Sequence, residues 1–159
     1  MWEKGVNVKQ DLQGLLESLV AHREELNEWA EQVVSDFWDE HYALNAHVQD
    51  PRELARLGAR CRVRQGSLEI TWFRMRWQKQ TGGKSRVYST YLRKGRGNKY
   101  SANMLSKGTT AAEWEIVSRY EEKFATLRRQ HKTIQQAVTA LREAVKTAEA
   151  VDQQQQEVL

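Results

Sequence analysis

The chain has 159 residues, enough for one domain with a modest core and too few for two well-packed ones. Charged residues make up 29% and apolar residues 40%, polar for a compact globule, yet six Trp and a strong helical periodicity argue against disorder. The single cysteine, Cys61, leaves no internal disulfide and no cysteine-based zinc site, and the +4 net charge is unremarkable until its distribution is read.

The first predicted element is a helix from about Val8 to Ala46. Leu12, Leu16, Leu19, Leu26, Ala30, Val33 and Phe37 recur at three- and four-residue steps, and Leu15, Trp29 and Val34 widen the stripe. Asp50-Pro51 then reads as an N-cap with proline at the first helical position, which predicts a short helix over 51–57 ended at Gly58. From Arg62 the pattern changes to strands. Ser67 to Trp77 is rich in β-branched and aromatic residues, as is Arg86 to Lys94, and Gly82-Gly83 between them suits a two-residue turn. The predicted β-hairpin covers 62–94.

A turn centred on Gly82-Gly83 sets Trp77 opposite Tyr88, Met75 opposite Thr90 and Phe73 opposite Leu92, an apolar face suited to packing on helices. The other face then carries Arg74, Arg76 and Arg93 around Trp72 and Tyr91. Leu68 and Ile70 share the parity of Trp72, so a bulge or twist is expected near Thr71. Residues 95–108 follow as a basic loop. Thr110 with Glu113 three residues on is a capping-box signature, and the last helix, 110–150, keeps a near-heptad seam through Val117, Tyr120, Phe124, Leu127, His131, Ile134, Val138, Leu141 and Val145. The Gln-rich segment 151–159 reads as a frayed tail. The fold class expected is α+β, mainly α: a long antiparallel helical hairpin with an inserted basic two-stranded β-hairpin, in a single domain.

Charge is segregated along these elements. Fifteen of the 25 Lys and Arg lie between Arg52 and Lys107 with only Glu53 and Glu69 as acids, so that window carries +13 and the remainder −9. Surface ion pairs stabilise by only roughly 0 to 1 kcal/mol each, a weak reason to concentrate such a field. Nucleic acid is the partner class it fits best, with an acidic protein surface or internal neutralisation as the alternative. The residues singled out for contact are Trp72, Arg74, Arg76, Lys84, Arg86, Tyr91, Arg93, Lys94, Arg96 and Lys99. Arginines on a two-stranded ribbon suit a major groove, aromatics suit unpaired bases, and the glycine-flanked cations at 94–99 suit phosphate.

Nothing points to catalysis, a metal or a cofactor. Asp36, Asp39, Glu40 and His41 form an ordinary solvated helix face, and the four histidines lack a paired zinc spacing. Tyr88, Tyr91 and Tyr100 could suggest a nicking nucleophile, but the hairpin holds no histidine to support one. The start Met1-Trp2-Glu3-Lys4-Gly5 lacks a signal-peptide pattern, and no run approaches the roughly 18 to 20 apolar residues of a membrane span, so a cytoplasmic protein without membrane contact is expected.

The runs Ile70-Thr71-Trp72-Phe73-Arg74, Gly82-Gly83-Lys84-Ser85-Arg86-Val87-Tyr88-Ser89 and Leu92-Arg93-Lys94-Gly95-Arg96-Gly97, followed by Tyr100, resemble the MobI-type conjugative-transfer proteins of integrative conjugative elements and related plasmids. The resemblance covers roughly residues 68 to 105. It departs after Tyr100, where Ser101 stands in place of the proline common in that pattern. It implies an auxiliary relaxosome protein that binds an origin of transfer and helps a relaxase or another transfer protein begin DNA mobilisation. The expected function is thus a non-catalytic accessory protein on double-stranded DNA. The alternatives are an RNA- or single-strand-binding module and a coiled-coil scaffold for an acidic protein. The apolar seams can close within one chain or between two copies, so a homodimer stays open.

Overall fold

A computed structural model describes residues 7–158. Two long helices, α1 (Val8–Ala46) and α3 (Ala111–Glu157), run antiparallel, and a three-stranded sheet packs on the C-terminal half of α1 and the N-terminal half of α3. At 1.5 Å rise per residue the two helices are about 58 and 70 Å long. The Asn7 side chain caps α1 by accepting the Gln10 amide at 3.2 Å, and Asp11 in the first turn complements the helix dipole. Thr110 caps α3 by accepting the Glu113 amide at 3.1 Å. Cross-links between Arg23 and Gln135 (2.9 Å), Glu40 and Arg119 (2.6 Å), and Lys9 and Glu149 (3.6 Å) fix the antiparallel register.

The strands are β1 (Leu57–Arg64), β2 (Ser67–Lys79) and β3 (Ser85–Tyr91), antiparallel in the order β1-β2-β3. The hairpin is therefore a three-stranded sheet, and the residues expected to form a short helix over 51–57 divide differently. Pro51–Glu53 makes one 3-10 turn, and Leu57 already opens β1. β1 joins β2 through Gln65 and Gly66, both at positive φ (52° and 74°), the geometry a two-residue turn between right-twisting strands requires. After Tyr91 the chain passes through a glycine-rich loop and the short helix α2 (Ala102–Ser106) to α3. The tail expected to fray continues α3 as far as Glu157.

The β2–β3 register corrects the expected one by a residue. Three residues, Thr81 to Gly83, form the loop, closed by Gln80 N–H donating to the Lys84 carbonyl at 2.7 Å. Trp77 consequently faces Val87, Arg76 faces Tyr88 and Phe73 faces Tyr91. The pairing of β2 is continuous on both sides, with no bulge at Thr71.

The buried face of the sheet is the one expected to be exposed. Leu57 and Ala59 of β1 and Leu68, Ile70 and Trp72 of β2 point at the helices and join Ala30, Val33, Val34, Phe37, Val117, Tyr120, Phe124 and Leu127 in the core. Trp72 is fully buried, its ring 5.0 Å from Phe37 and 5.3 Å from Phe124. Both parities of β2 are apolar, so alternation alone does not choose the face. The helices cover β2 only as far as Trp72, where the even positions are the apolar ones. Trp77 and Tyr88, expected in the core, are 44% and 38% exposed.

One buried polar cluster fastens the sheet to α3. The Glu121 carboxylate accepts the Trp72 indole N–H (2.6 Å), the Tyr100 amide (2.8 Å) and both terminal nitrogens of Arg128 (2.8 and 3.2 Å). Arg128 also donates to the carbonyls of Ile70 (3.0 Å) and Asn98 (2.7 Å), and its guanidinium lies over the Tyr100 ring. A buried ion pair is tolerable when its remaining hydrogen-bonding capacity is filled in this way.

Candidate nucleic-acid interface

Beyond Arg74, β2 and β3 leave the helical body as a two-stranded ribbon. Every residue from Arg76 to Tyr91 is exposed. No Asp or Glu occurs between Glu69 and Glu113, a stretch with ten Lys and Arg. Among the described residues, Arg76, Lys79, Lys84 and Arg86 form no ion pair. Arg76 and Arg86 share one face of the ribbon with Tyr88, whose ring carries the Arg86 guanidinium at 5.4 Å and whose hydroxyl accepts Gln80 Nε2 at 3.1 Å. Trp77, Val87 and Lys79 occupy the opposite face.

The other residues singled out from the sequence are dispersed. Trp72 lies in the core and cannot stack on a base. Arg74 is half-buried at the root of the ribbon, beside Gly108, and its charge favours the ionised Glu113 carboxylate. Burial pushes Glu113 above its ordinary value, although the amides of Arg56 (2.6 Å) and Leu57 (3.0 Å) donate to it. Tyr91 is exposed but lies opposite Phe73, on the other face from Arg74. Arg93 and Arg96 are exposed. Lys94 is half-buried with its ammonium on the Gly97 carbonyl, and burial together with the nearby Arg128 and Lys132 cations lowers its pKa. Lys99 is neutralised by Glu122.

The sheet face turned away from the helices was not anticipated. Paired residues of antiparallel strands point the same way, so Arg60, Arg62 and Arg64 of β1 share this face with Thr71, Phe73, Met75 and Trp77 of β2 and with Tyr91 of β3. The Arg60 guanidinium donates to the Tyr91 hydroxyl at 3.1 Å, and Arg62 pairs with Glu69 at 2.5 Å. Trp38 of α1 reaches around the β1 edge, donating its indole N–H to the Ala59 carbonyl at 2.9 Å, and its ring stands 6.1 Å from Phe73. Phe73 in turn stands 5.6 Å from Tyr91. Gly58 makes this meeting of rings possible, because a Cβ there would lie 2.5 Å from the Phe73 ring and 2.7 Å from the Trp38 ring. The signal for β1 is present in the sequence, since from Ala59 to Arg64 every second residue is Arg.

Other chemistry has less to stand on. Among the described residues no three His, Cys, Asp or Glu side chains are grouped to hold a metal ion. Glu40 is engaged by Arg119, which lowers its pKa, and His41 is buried against Phe37 and Trp38. Among the described residues no helix is long and apolar enough to cross a membrane.

Comparison with known proteins gives no match among curated proteins or solved structures. A family model described as MobI protein matches residues 26–142, which takes in the whole sheet, the ribbon and the helical segments that pack beneath them; the chain belongs to the MobI family of conjugative mobilisation proteins.

Proposed function

We propose that this MobI family member is a non-catalytic accessory protein that binds double-stranded DNA at an origin of transfer through the β2–β3 ribbon. The observation that carries this reading is the acid-free ribbon itself, uncovered on both faces, with four cations that have no ionic partner among the described residues. A two-stranded ribbon fits a major groove about 12 Å wide, where Arg76 and Arg86 can meet guanine edges while Lys79 and Lys84 meet phosphates. Internal neutralisation, the competing account of the charge, holds for Arg52, Arg62 and Lys99 but not for these four. Assembly with a relaxase and the choice of the origin as the site rest on family membership alone.

The test is a salt titration of binding to duplex DNA containing the cognate origin and to a scrambled duplex. Two phosphate contacts, from Lys79 and Lys84, predict a slope of log K against log salt of about −1.8, at about −0.9 per contact. Changing Arg76, Lys79, Lys84 and Arg86 together to Ala should remove most of that slope while the helical circular dichroism is kept. A folded quadruple variant that binds duplex with wild-type affinity and slope refutes the ribbon as the contact.

A further inference from the structure

We infer that the outer face of the sheet is a second site, distinct from the four ribbon cations, that binds unpaired DNA by stacking bases on its aromatic rings. The inference rests on the reading that the ligand is DNA, and it concerns residues that reading does not use.

Both long helices pack on the other face of the sheet, so Trp77 and Tyr91 stay exposed and Phe73 is covered only in part, by the Trp38 ring. Trp77 and Tyr91 are 44% and 51% exposed. In a protein that keeps Trp72, Phe37 and Phe124 fully buried, this is a substantial aromatic surface left in water. It is also a built surface. Gly58 brings the Trp38 and Phe73 rings together over its backbone, and the Arg60 guanidinium fixes the Tyr91 hydroxyl at 3.1 Å. A ring held in this way loses little conformational freedom when a base settles on it.

The charge names the occupant. Arg60 and Arg64 on this face have no ion-pair partner among the described residues, and Glu69, already paired with Arg62, is the single acid of the three strands. An apolar protein partner would leave these guanidinium groups desolvated, whereas a nucleic-acid backbone would neutralise them. A duplex hides the faces of its bases in its own stack. A single strand presents them, and aromatic rings beside cations are what sequence-tolerant single-strand binding uses. The site thus takes a strand that has left the duplex, beside the ribbon that holds the duplex.

The experiment measures fluorescence anisotropy with a labelled oligothymidylate of about 12 nucleotides, a duplex of equal length and an oligouridylate of equal length. The expected result is binding of oligothymidylate with quenching of tryptophan emission. Tyr91→Ala should weaken it by roughly 5- to 150-fold and leave duplex affinity unchanged, whereas Tyr91→Phe, which keeps the ring, should stay near wild type. Arg60→Ala should weaken oligothymidylate binding and lower its salt slope by somewhat less than one unit. The proposal is overturned if Tyr91→Ala binds oligothymidylate as well as wild type does, if it loses duplex and single strand in equal proportion, or if oligouridylate is preferred. If the quadruple ribbon variant loses the duplex while keeping oligothymidylate, the two sites are separate, as proposed. If wild type fails on duplex but binds oligothymidylate with the Tyr91 dependence above, the ribbon reading falls and this one stands.

Discussion

Glu121→Ala tests the joint between the sheet and α3. The carboxylate is buried and accepts hydrogen bonds from the Trp72 indole, the Tyr100 amide and two Arg128 nitrogens. Removing it strands the Arg128 guanidinium in a site where the side chain is only 5% exposed. Breaking a buried pair from one side destabilises by about 3 to 5 kcal/mol. The carbonyls of Ile70 and Asn98 still solvate Arg128, which pulls toward the lower end, and the orphaned Trp72 and Tyr100 donors pull toward the upper. Urea unfolding followed by tryptophan fluorescence reads the result. With m of about 1 to 3 kcal/mol/M, the midpoint should fall by at least about 1 M. The companion variant Glu121→Ala/Arg128→Met should be less destabilised than the two single changes added together, by at least about 1 kcal/mol, because no charge is then left unpaired. A Glu121→Ala midpoint within about 0.2 M of wild type, or strict additivity in the double variant, refutes the view that this cluster holds the sheet.

Other outcomes follow from the same structure. Trp72→Ala should destabilise by about 3 to 5 kcal/mol, whereas Trp77→Ala should stay within about 1 kcal/mol of wild type, and thermal melts of the pair would expose an inverted sheet face. Burial holds the imidazoles of His41 and His131 below their ordinary value, so the folded chain takes up their protons less readily than the unfolded one. The stability they contribute is complete above about pH 6.5 and is lost as pH falls toward the folded values, by no more than about 1.4 kcal/mol per pH unit for each. Glu113, pushed up by burial, acts with the opposite sign, so the check is that a His41→Gln/His131→Gln variant loses less stability than wild type between pH 7.5 and 5. Burial and the nearby Glu31 carboxylate push the Cys61 thiol up to about 11. Its alkylation at pH 8 should run on the order of a hundredfold slower in the folded protein than in urea, and equal rates would contradict that environment.

The helices were legible because each has one dominant apolar stripe and a clear cap. The reading of α1 as Val8 to Ala46 and of Thr110 as the cap of α3 needed only periodicity and side-chain chemistry. The sheet was harder for physical reasons. β1 begins four residues after a 3-10 turn whose Asp50-Pro51 start is also a good helix signal, and that signal hides the first residues of the strand, Leu57 to Cys61. In β2 the positions Leu68, Ile70 and Trp72 and the positions Phe73, Met75 and Trp77 are equally apolar, so the buried face depends on how far the helices extend over the strand. The extra loop residue at Thr81 then shifted every cross-strand partner by one. Of the residues expected at the interface, Arg76, Lys84, Arg86, Tyr91, Arg93, Arg96 and Lys99 are exposed, while Trp72 is buried, its indole bonded to Glu121 and its ring packed on Phe124.

The ribbon has a consequence for solubility as well. β3 is an edge strand whose outer backbone groups meet no other strand of the sheet, and its Val87, Tyr88, Thr90 and Tyr91 would suit pairing with a second copy. Lysine and arginine on an edge are a common defence against such pairing. Lys84 and Arg86, the residues proposed to meet DNA, also make two ribbons repel each other edge to edge. Stripping the ribbon of its cations should therefore do more than silence binding. It should leave a bare β-edge that collects into oligomers as concentration rises, which size-exclusion chromatography across a concentration series would show.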